Sequence, residues 1–313
     1  MRDHGFPSPG RPSSAASALG IATTGLATAL ILVLLAVILG TVVLQGWPAL
    51  SWRFVSTVPR RDFFDPQSAA VLPMIIGTTT RILLMTVFVM PVGVITAVYL
   101  SEYARADSPY THAVRVAIGN LAGVPSIVFG LFGLGFFINF LGRNLDRLAG
   151  TSGPHWGQPS LLWASLTLAV MTLPVVIVAT EEALRATPTG LREASLALGA
   201  TKLETILCIV LPQALPGILT GGILAVSRAA GEVAPILFTG AAYYMASLPQ
   251  KPTDQFMDLG YHTYILATQS PNIERTRPIL FATVLVLLAL TFSLNAVAIL
   301  VRARLRRTGR DIA

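Results

Sequence analysis

The chain has 313 residues, 53% of them hydrophobic and only 12% charged, with a mean hydropathy of +0.68. Soluble domains carry about 25% charged residues, so this composition excludes a soluble globular protein and places the chain in a membrane. The formal charge of +7 does not call for nucleic acid, because basic residues of membrane proteins gather in loops and tails. A single cysteine, Cys208, excludes an internal disulfide, and the scattered His4, His112, His155 and His262 lack metal-ligand spacing.

Residues 1–20 are rich in Pro, Ser, Gly and Ala and read as a disordered tail. Residues 21–44 are apolar and uncharged, too long for the core of a secretory signal, and read as a retained first membrane helix within 21–45. An external loop, 46–72, carries Trp47 and Trp52, suited to a membrane interface, and a solvated Arg60-Arg61-Asp62. The second span is expected at 73–100, with Arg81 snorkelling to the interface rather than lining a path. The third span, 116–141, holds Gly119, Gly123, Gly130, Gly133 and Gly135 for close packing, and Val124-Pro125 should kink or break it. Residues 143–159 read as a loop, 160–179 as the fourth span with Pro174 as a kink, and 216–234 as the fifth, opening on Gly217-x-x-x-Gly221. Pro235 interrupts that span, and the apolar residues after it are read as its end plus a partly buried turn. A long loop, 247–277, includes a candidate interfacial helix, 253–267, carrying Phe256, Leu259 and Ile265; the sixth span is 278–301, and a basic tail covers 303–313. The expected fold is therefore all-α, with six transmembrane helices and a core of five over 73–302. Placing both termini inside puts twelve of the 22 Lys and Arg on the cytoplasmic side and eight outside, with the tail arginines beside a span weighing most.

The stretch 182–217 lies between strong spans and is polar yet patterned. Thr187 is expected to cap a helix with Pro188 at its first position, presenting Leu191, Ala194 and Leu198 on one face. Gly199 permits a turn at positive φ, Thr201-Lys202-Leu203-Glu204 reads as a capping box for a second helix, and Pro212 should end that helix. The spacing Glu193-Ala194-Ser195, Gly199, Ile209-Val210-Leu211-Pro212 resembles the loop signature of ABC-importer permeases, with Ser195 where that pattern usually has alanine. The resemblance implies that this loop docks into a cleft of a separate cytoplasmic ATPase. No G-x-x-x-x-G-K-[ST] phosphate loop occurs in this chain.

Arg228 and Glu232, in AVSRAAGEVAP, lie four apart inside an apolar window and would share a helix face. Each charge costs a few kcal/mol at mid-membrane, which leaves two readings. They form a self-neutralising structural pair, or Arg228 lines the path of an anion whose tetrahedral oxygens its fork fits, with Glu232 holding it between substrates. The run LPQALPGILTGGILAVSRAAGEVAPILFTG closely resembles the fifth-helix region of the phosphate ABC-importer permeases of the PstA family, and 123–135 resembles their third helix. That resemblance spans roughly 46–302. It implies the type I ABC importer permease fold in a bacterial inner membrane and no cofactor on this chain, with ATP and Mg used by the partner ATPase. The implied partners are a second, PstC-like permease, a PstB-like ATP-binding dimer, a PstS-like external phosphate-binding protein, phosphate and lipid. The rival readings are a permease for another oxyanion or solute, and a membrane scaffold or sensor that transports nothing. An intramembrane enzyme is disfavoured because no nucleophile–base pair or metal cluster is evident.

Overall fold

The computed structural model describes residues 14–59, 64–105, 107–150, 153–245 and 247–310, with side chains described within 17–304. Among the described residues, six helical segments are long and apolar enough to cross a membrane: Ser17–Ala49, Leu72–Tyr103, Ser126–Ala149, Leu161–Arg185, Lys202–Gly231 and Ile273–Arg304. The chain is a multi-pass membrane protein. Arg60, Arg61 and Asp62 lie outside the described residues, as do the side chains of Arg306, Arg307 and Arg310.

Helix α1 (Ser14–Gly46) starts inside the stretch expected to be a tail and is exposed along most of its length. A short α2 (Trp52–Ser56), capped by the Ser51 hydroxyl, leads to α3 (Leu72–Val98), whose last turn widens into a π turn over Tyr99–Tyr103. Trp47 and Trp52 are both exposed, as expected of interface anchors.

The expected third span is two helices. Helix α4 (Pro109–Ala122) stops at Gly123, and α5 (Ser126–Phe132) begins after Pro125, which has no N–H to continue the ladder. The membrane-crossing part then runs on through a π segment, Gly133–Gly142, into α6 (Arg143–Ala149), so the stretch from 143 expected to be loop is helical at its start. Of the five glycines, Gly130 and Gly133 are pressed against 235–239 and Thr167, while Gly119 and Gly135 face open space.

Helix α7 (Leu161–Arg185) is apolar all round and is the most buried span, flanked by α3 and α10 (Leu211–Gly231). Gly217 and Gly221 lie against Ala183 and Ala179 of α7; a Cβ at 221 would sit 2.7 Å from that of Ala179. The glycine pair thus brings α7 and α10 to near backbone contact, as small residues do in membranes.

Between them, α8 (Thr189–Ala197) and α9 (Lys202–Thr205) form the patterned loop. Beyond α10, the residues after Pro235 form a separate four-residue α11 (Ile236–Thr239). The following loop is built, not floating: the Leu161 and Leu162 N–H groups donate to the Asp254 and Pro252 carbonyls, capping α7. Helix α12 covers only Leu259–Thr268. Phe256 precedes it, and Phe256, Leu259 and Ile265 are all fully buried, so this is a core element rather than an interfacial helix. Helix α13 (Ile273–Arg310) closes the fold against α1, α10 and α12.

Candidate functional site

Helix α7 continues past Glu182 to Arg185. Pro188, at φ −57° and ψ 134°, occupies the N-cap position of α8, so the helix begins at Thr189. The Thr187 hydroxyl is buried and caps nothing, which corrects the expected Thr187 cap. The physical reason is the extended backbone Pro188 adopts: the chain turns helical one residue later than the Thr-Pro pattern suggests. Glu193 and Ala194 are exposed, and Leu191, Leu196 and Leu198 present apolar surface, Leu198 with 89% of its area free. Ser195 points inward, its hydroxyl 3.0 Å from that of Thr205, so it links α8 to α9. Gly199 has φ +89°, the left-handed region that favours glycine. The capping box is complete: the Glu204 N–H donates to Thr201 Oγ1, and Thr201 N–H donates to Glu204 Oε2 at 2.7 Å.

Pro212 does not end the helix. Lys202–Gly231 is continuous, with a π turn over Ile206–Val210 immediately before Leu211. A wider turn relocates the carbonyl that the Pro212 ring would strike and leaves no orphaned donor, which is how such helices absorb proline. Ile209 and Leu211 are half-buried in this helix and Pro212 is exposed on it, so only 193–199 of the signature stand on the outer loop.

This loop is tied to the spans by charge-assisted bonds. Arg192 Nη1 donates to Glu102 Oε1 at 2.7 Å and its Nη2 to the Leu184 carbonyl at 2.6 Å. Lys202 Nζ donates to the Glu102 carbonyl and lies 5.0 Å over the Tyr103 ring. Arg115 bridges the Leu100 carbonyl and Glu181. The carbonyls of 100 and 102 lie in the last turn that extends α3, and that of 184, which also accepts the Thr187 N–H at 3.2 Å, lies in the last turn of α7. Glu102 escaped the sequence reading; its signal was an acid closing an apolar span, opposite a loop rich in Arg and Lys.

At the other end of α10, Arg228 and Glu232 are brought together as expected, with Nε 3.7 Å from Oε1. The helix ends at Gly231, so Glu232 is the extended residue after it rather than part of the same helical face. The pair is loose. The Arg228 side chain is 43% exposed and that of Glu232 22%. The neighbouring Ser227 hydroxyl donates to Asn295 Oδ1 of α13 at 2.9 Å.

Arg81 does not snorkel. It is fully buried, with Nε 3.1 Å and Nη2 3.0 Å from Asp258 Oδ2; the Nη2 contact is an ion pair outside hydrogen-bond geometry. Its Nη1 donates to the Ala229 carbonyl at 3.1 Å. Asp258 caps α12, its Oδ1 accepting from the Gly260 and Tyr261 N–H groups, while Oδ2 also accepts from the Thr78 hydroxyl. Asp258 was not anticipated. A buried arginine requires a counter-ion, and an acid directly before an apolar helix was the available signal.

The geometry is thus a bundle of membrane helices with an exposed loop of two short helices, α8 and α9, at one end and a half-exposed arginine in a span near the other. Residues 89–307 match the family of binding-protein-dependent transport system inner membrane components, and the chain belongs to that family. Within it, this is a PstA-like ABC permease. It is 38% identical over 197 residues to phosphate transport system permease protein PstA 1 of Mycobacterium tuberculosis, covering 63% of this chain and 60% of the relative. It is 33% identical over 198 residues to the probable ABC transporter permease YqgI of Bacillus subtilis, covering 63% and 61%. To PstA of Xylella fastidiosa it is 32% identical over 251 residues, covering 77% and 78%. The chain spans about three-fifths of the length of the first two of these relatives. A solved bacterial alginate ABC transporter, in complex with a pentasaccharide-bound periplasmic protein, aligns with TM-score 0.57 at 15% identity over 94% of this chain and 96% of that one. This likeness concerns the fold alone, which is that of a type I ABC importer permease.

Proposed function

We propose that the chain is the permease subunit of an ATP-driven importer of inorganic phosphate, forming half of the translocation path. One observation carries the reading. Arg228 sits in a membrane span, stays charged, and leaves nearly half its side chain uncovered. A guanidinium cannot face hydrocarbon at that exposure, so its free side belongs to a hydrated path or to a partner subunit. The fork matches a tetrahedral oxyanion, and the 3.7 Å separation from Glu232 is one an incoming anion can compete with. Glu232 then compensates Arg228 between substrates and accepts a hydrogen bond from a protonated phosphate, a donor that sulfate cannot offer at neutral pH.

In this reading both termini are cytoplasmic and the loop at Glu193, Ala194, Ser195 and Gly199 docks an ATP-binding subunit, with Ile209, Leu211 and Pro212 carrying its movement into α10. The partners are a PstC-like permease, a PstB-like ATPase dimer using ATP and Mg, and a PstS-like external binding protein; this chain holds no cofactor and breaks no bond. The PstA names of its relatives support phosphate as the substrate.

The test is labelled-phosphate uptake in cells lacking this chain, restored by the intact gene or by Arg228→Gln. The expected result is restoration that excess sulfate does not suppress, and loss of uptake in the variant. Sulfate competition points to another oxyanion. Full uptake by Arg228→Gln removes the arginine from the path.

A further inference from the structure

We propose that Arg81 and Asp258 are positioning residues for the anion path: as a buried pair they fix the exit turn of α10 that carries Arg228 and Glu232. The proposal rests on the path role of Arg228 just given. Helix α10 ends at Gly231, so the carbonyls of its last turn have no helical donors. The Ala229 carbonyl receives the Glu232 N–H at 3.3 Å and Arg81 Nη1 at 3.1 Å. Arg81 therefore grips the residue next to Arg228, through the atom that also sets where Glu232 leaves the helix. A cation at a helix C-terminus also suits the helix dipole.

Arg81 can serve this role only while it is itself held. It lies nine residues into α3, about 14 Å along the helix at 1.5 Å per residue, and has no exposure. Asp258 neutralises it, and the α12 N-terminus and Thr78 hold Asp258 through three further donors. Gly77, one turn from Arg81, makes the approach possible, since a side chain there would strike the Met257 carbonyl. The Ser165 hydroxyl adds a bond to the Arg81 carbonyl at 3.3 Å. Three elements, α3, α10 and α12, thus meet on one guanidinium, while α7 holds the Arg81 backbone. An apolar residue would bury more cheaply at position 81. What it could not do is reach a carboxylate and a helix-end carbonyl at once, which the planar fork does.

The test uses the assembled transporter in liposomes, with binding protein and ATPase present. The variant is Arg81→Met with Asp258→Asn. Removing both charges avoids an unpaired buried ion, and Asn keeps an oxygen for the α12 cap. Position 231 has open space for a side chain, so Gly231→Cys reports on the turn, and the native, exposed Cys208 at the far end of the same span is the control. With the pair replaced, reaction of Gly231→Cys with a water-soluble thiol reagent should accelerate at least about fivefold, the factor equivalent to one lost hydrogen bond. Cys208 should react at its original rate, and phosphate moved per ATP hydrolysed, measured without Gly231→Cys, should fall by a similar factor. Unchanged rates at both positions overturn the proposal. Parallel acceleration at both also overturns it, because the pair would then be a staple of the whole bundle. A faster Gly231→Cys with undiminished transport overturns it through its premise, and full transport by Arg228→Gln identifies that failure separately.

Discussion

Asp258 meets two obligations with one carboxylate, and the cost of removing it follows from that. Its Oδ1 caps α12 and its Oδ2 balances Arg81. Truncating one partner of a buried ion pair leaves an uncompensated charge, typically a loss of about 3–5 kcal/mol. Asp258→Ala should therefore lower the thermal midpoint of the detergent-solubilised protein sharply, whereas Asp258→Asn with Arg81→Met should not. One turn along, His262 is fully buried and desolvation lowers its pKa from 6.5 to about 4. It is neutral in the fold, so between those values the unfolded chain binds more protons. Its contribution is complete above pH 6.5 and is lost as pH falls toward 4, on the order of 3 kcal/mol in all. Unfolding followed from pH 7.5 to 4.5 should show this slope, and His262→Asn should flatten it. At this scale Arg228 and Glu232 were legible because charge in an apolar window is conspicuous. Asp258 was not, because its partner lies 177 residues away and no local pattern records that contact.

At the level of elements, a proline does not by itself end a helix. Pro125 does break a helix, whereas Pro212 sits in a continuous one because five residues before it open into a π turn. Sequence periodicity registers the missing donor but not the backbone's means of absorbing it. Small residues were legible where two faces meet: Gly221 faces Ala179, and Gly221→Val would force α7 and α10 apart. Overpacking of this kind costs about 1–3 kcal/mol, and the variant should show reduced yield of folded protein from membranes. The link between α8 and α3 is electrostatic. The Arg192 side chain is 23% exposed and that of Glu102 only 8%, so the pair is screened less than a surface bridge. Arg192→Glu or Glu102→Arg alone should cut transport at least about tenfold, equivalent to about 1.4 kcal/mol, a typical loss for a charged hydrogen bond. The doubly reversed protein should recover in part, since the pair is remade while the bond to the Leu184 carbonyl is not. Uptake assays on the three variants, at equal membrane abundance, decide it.

Across the whole molecule, six spans were readable from hydropathy; the fifth begins at Lys202 rather than at 216, and the other error lay in where the third begins. That error arose because α4 is apolar enough to be mistaken for part of a span and only Pro125 divides it from α5. Hydropathy also says nothing about which apolar residues lipid covers, and this is the question the loop of α8 and α9 raises. Leu198 stands 89% exposed beside Gly199, on a loop whose Glu193 is also exposed and whose Thr201 caps α9. Burying one leucine side chain contributes about 1.5–3 kcal/mol. A docking face of Leu191, Ala194 and Leu198 would therefore lose much of its affinity on Leu198→Asp, which buries a charge against apolar surface. The substitution touches nothing inside the subunit, so membrane level and thermal midpoint should stay at their original values. Co-purification of the ATPase should drop by at least about tenfold, since 1.4 kcal/mol already accounts for that factor. Retained ATPase with lost transport would place the contact elsewhere on the loop and leave Leu198 a role in transmitting movement. Retained ATPase with retained transport would remove this face from the coupling surface altogether.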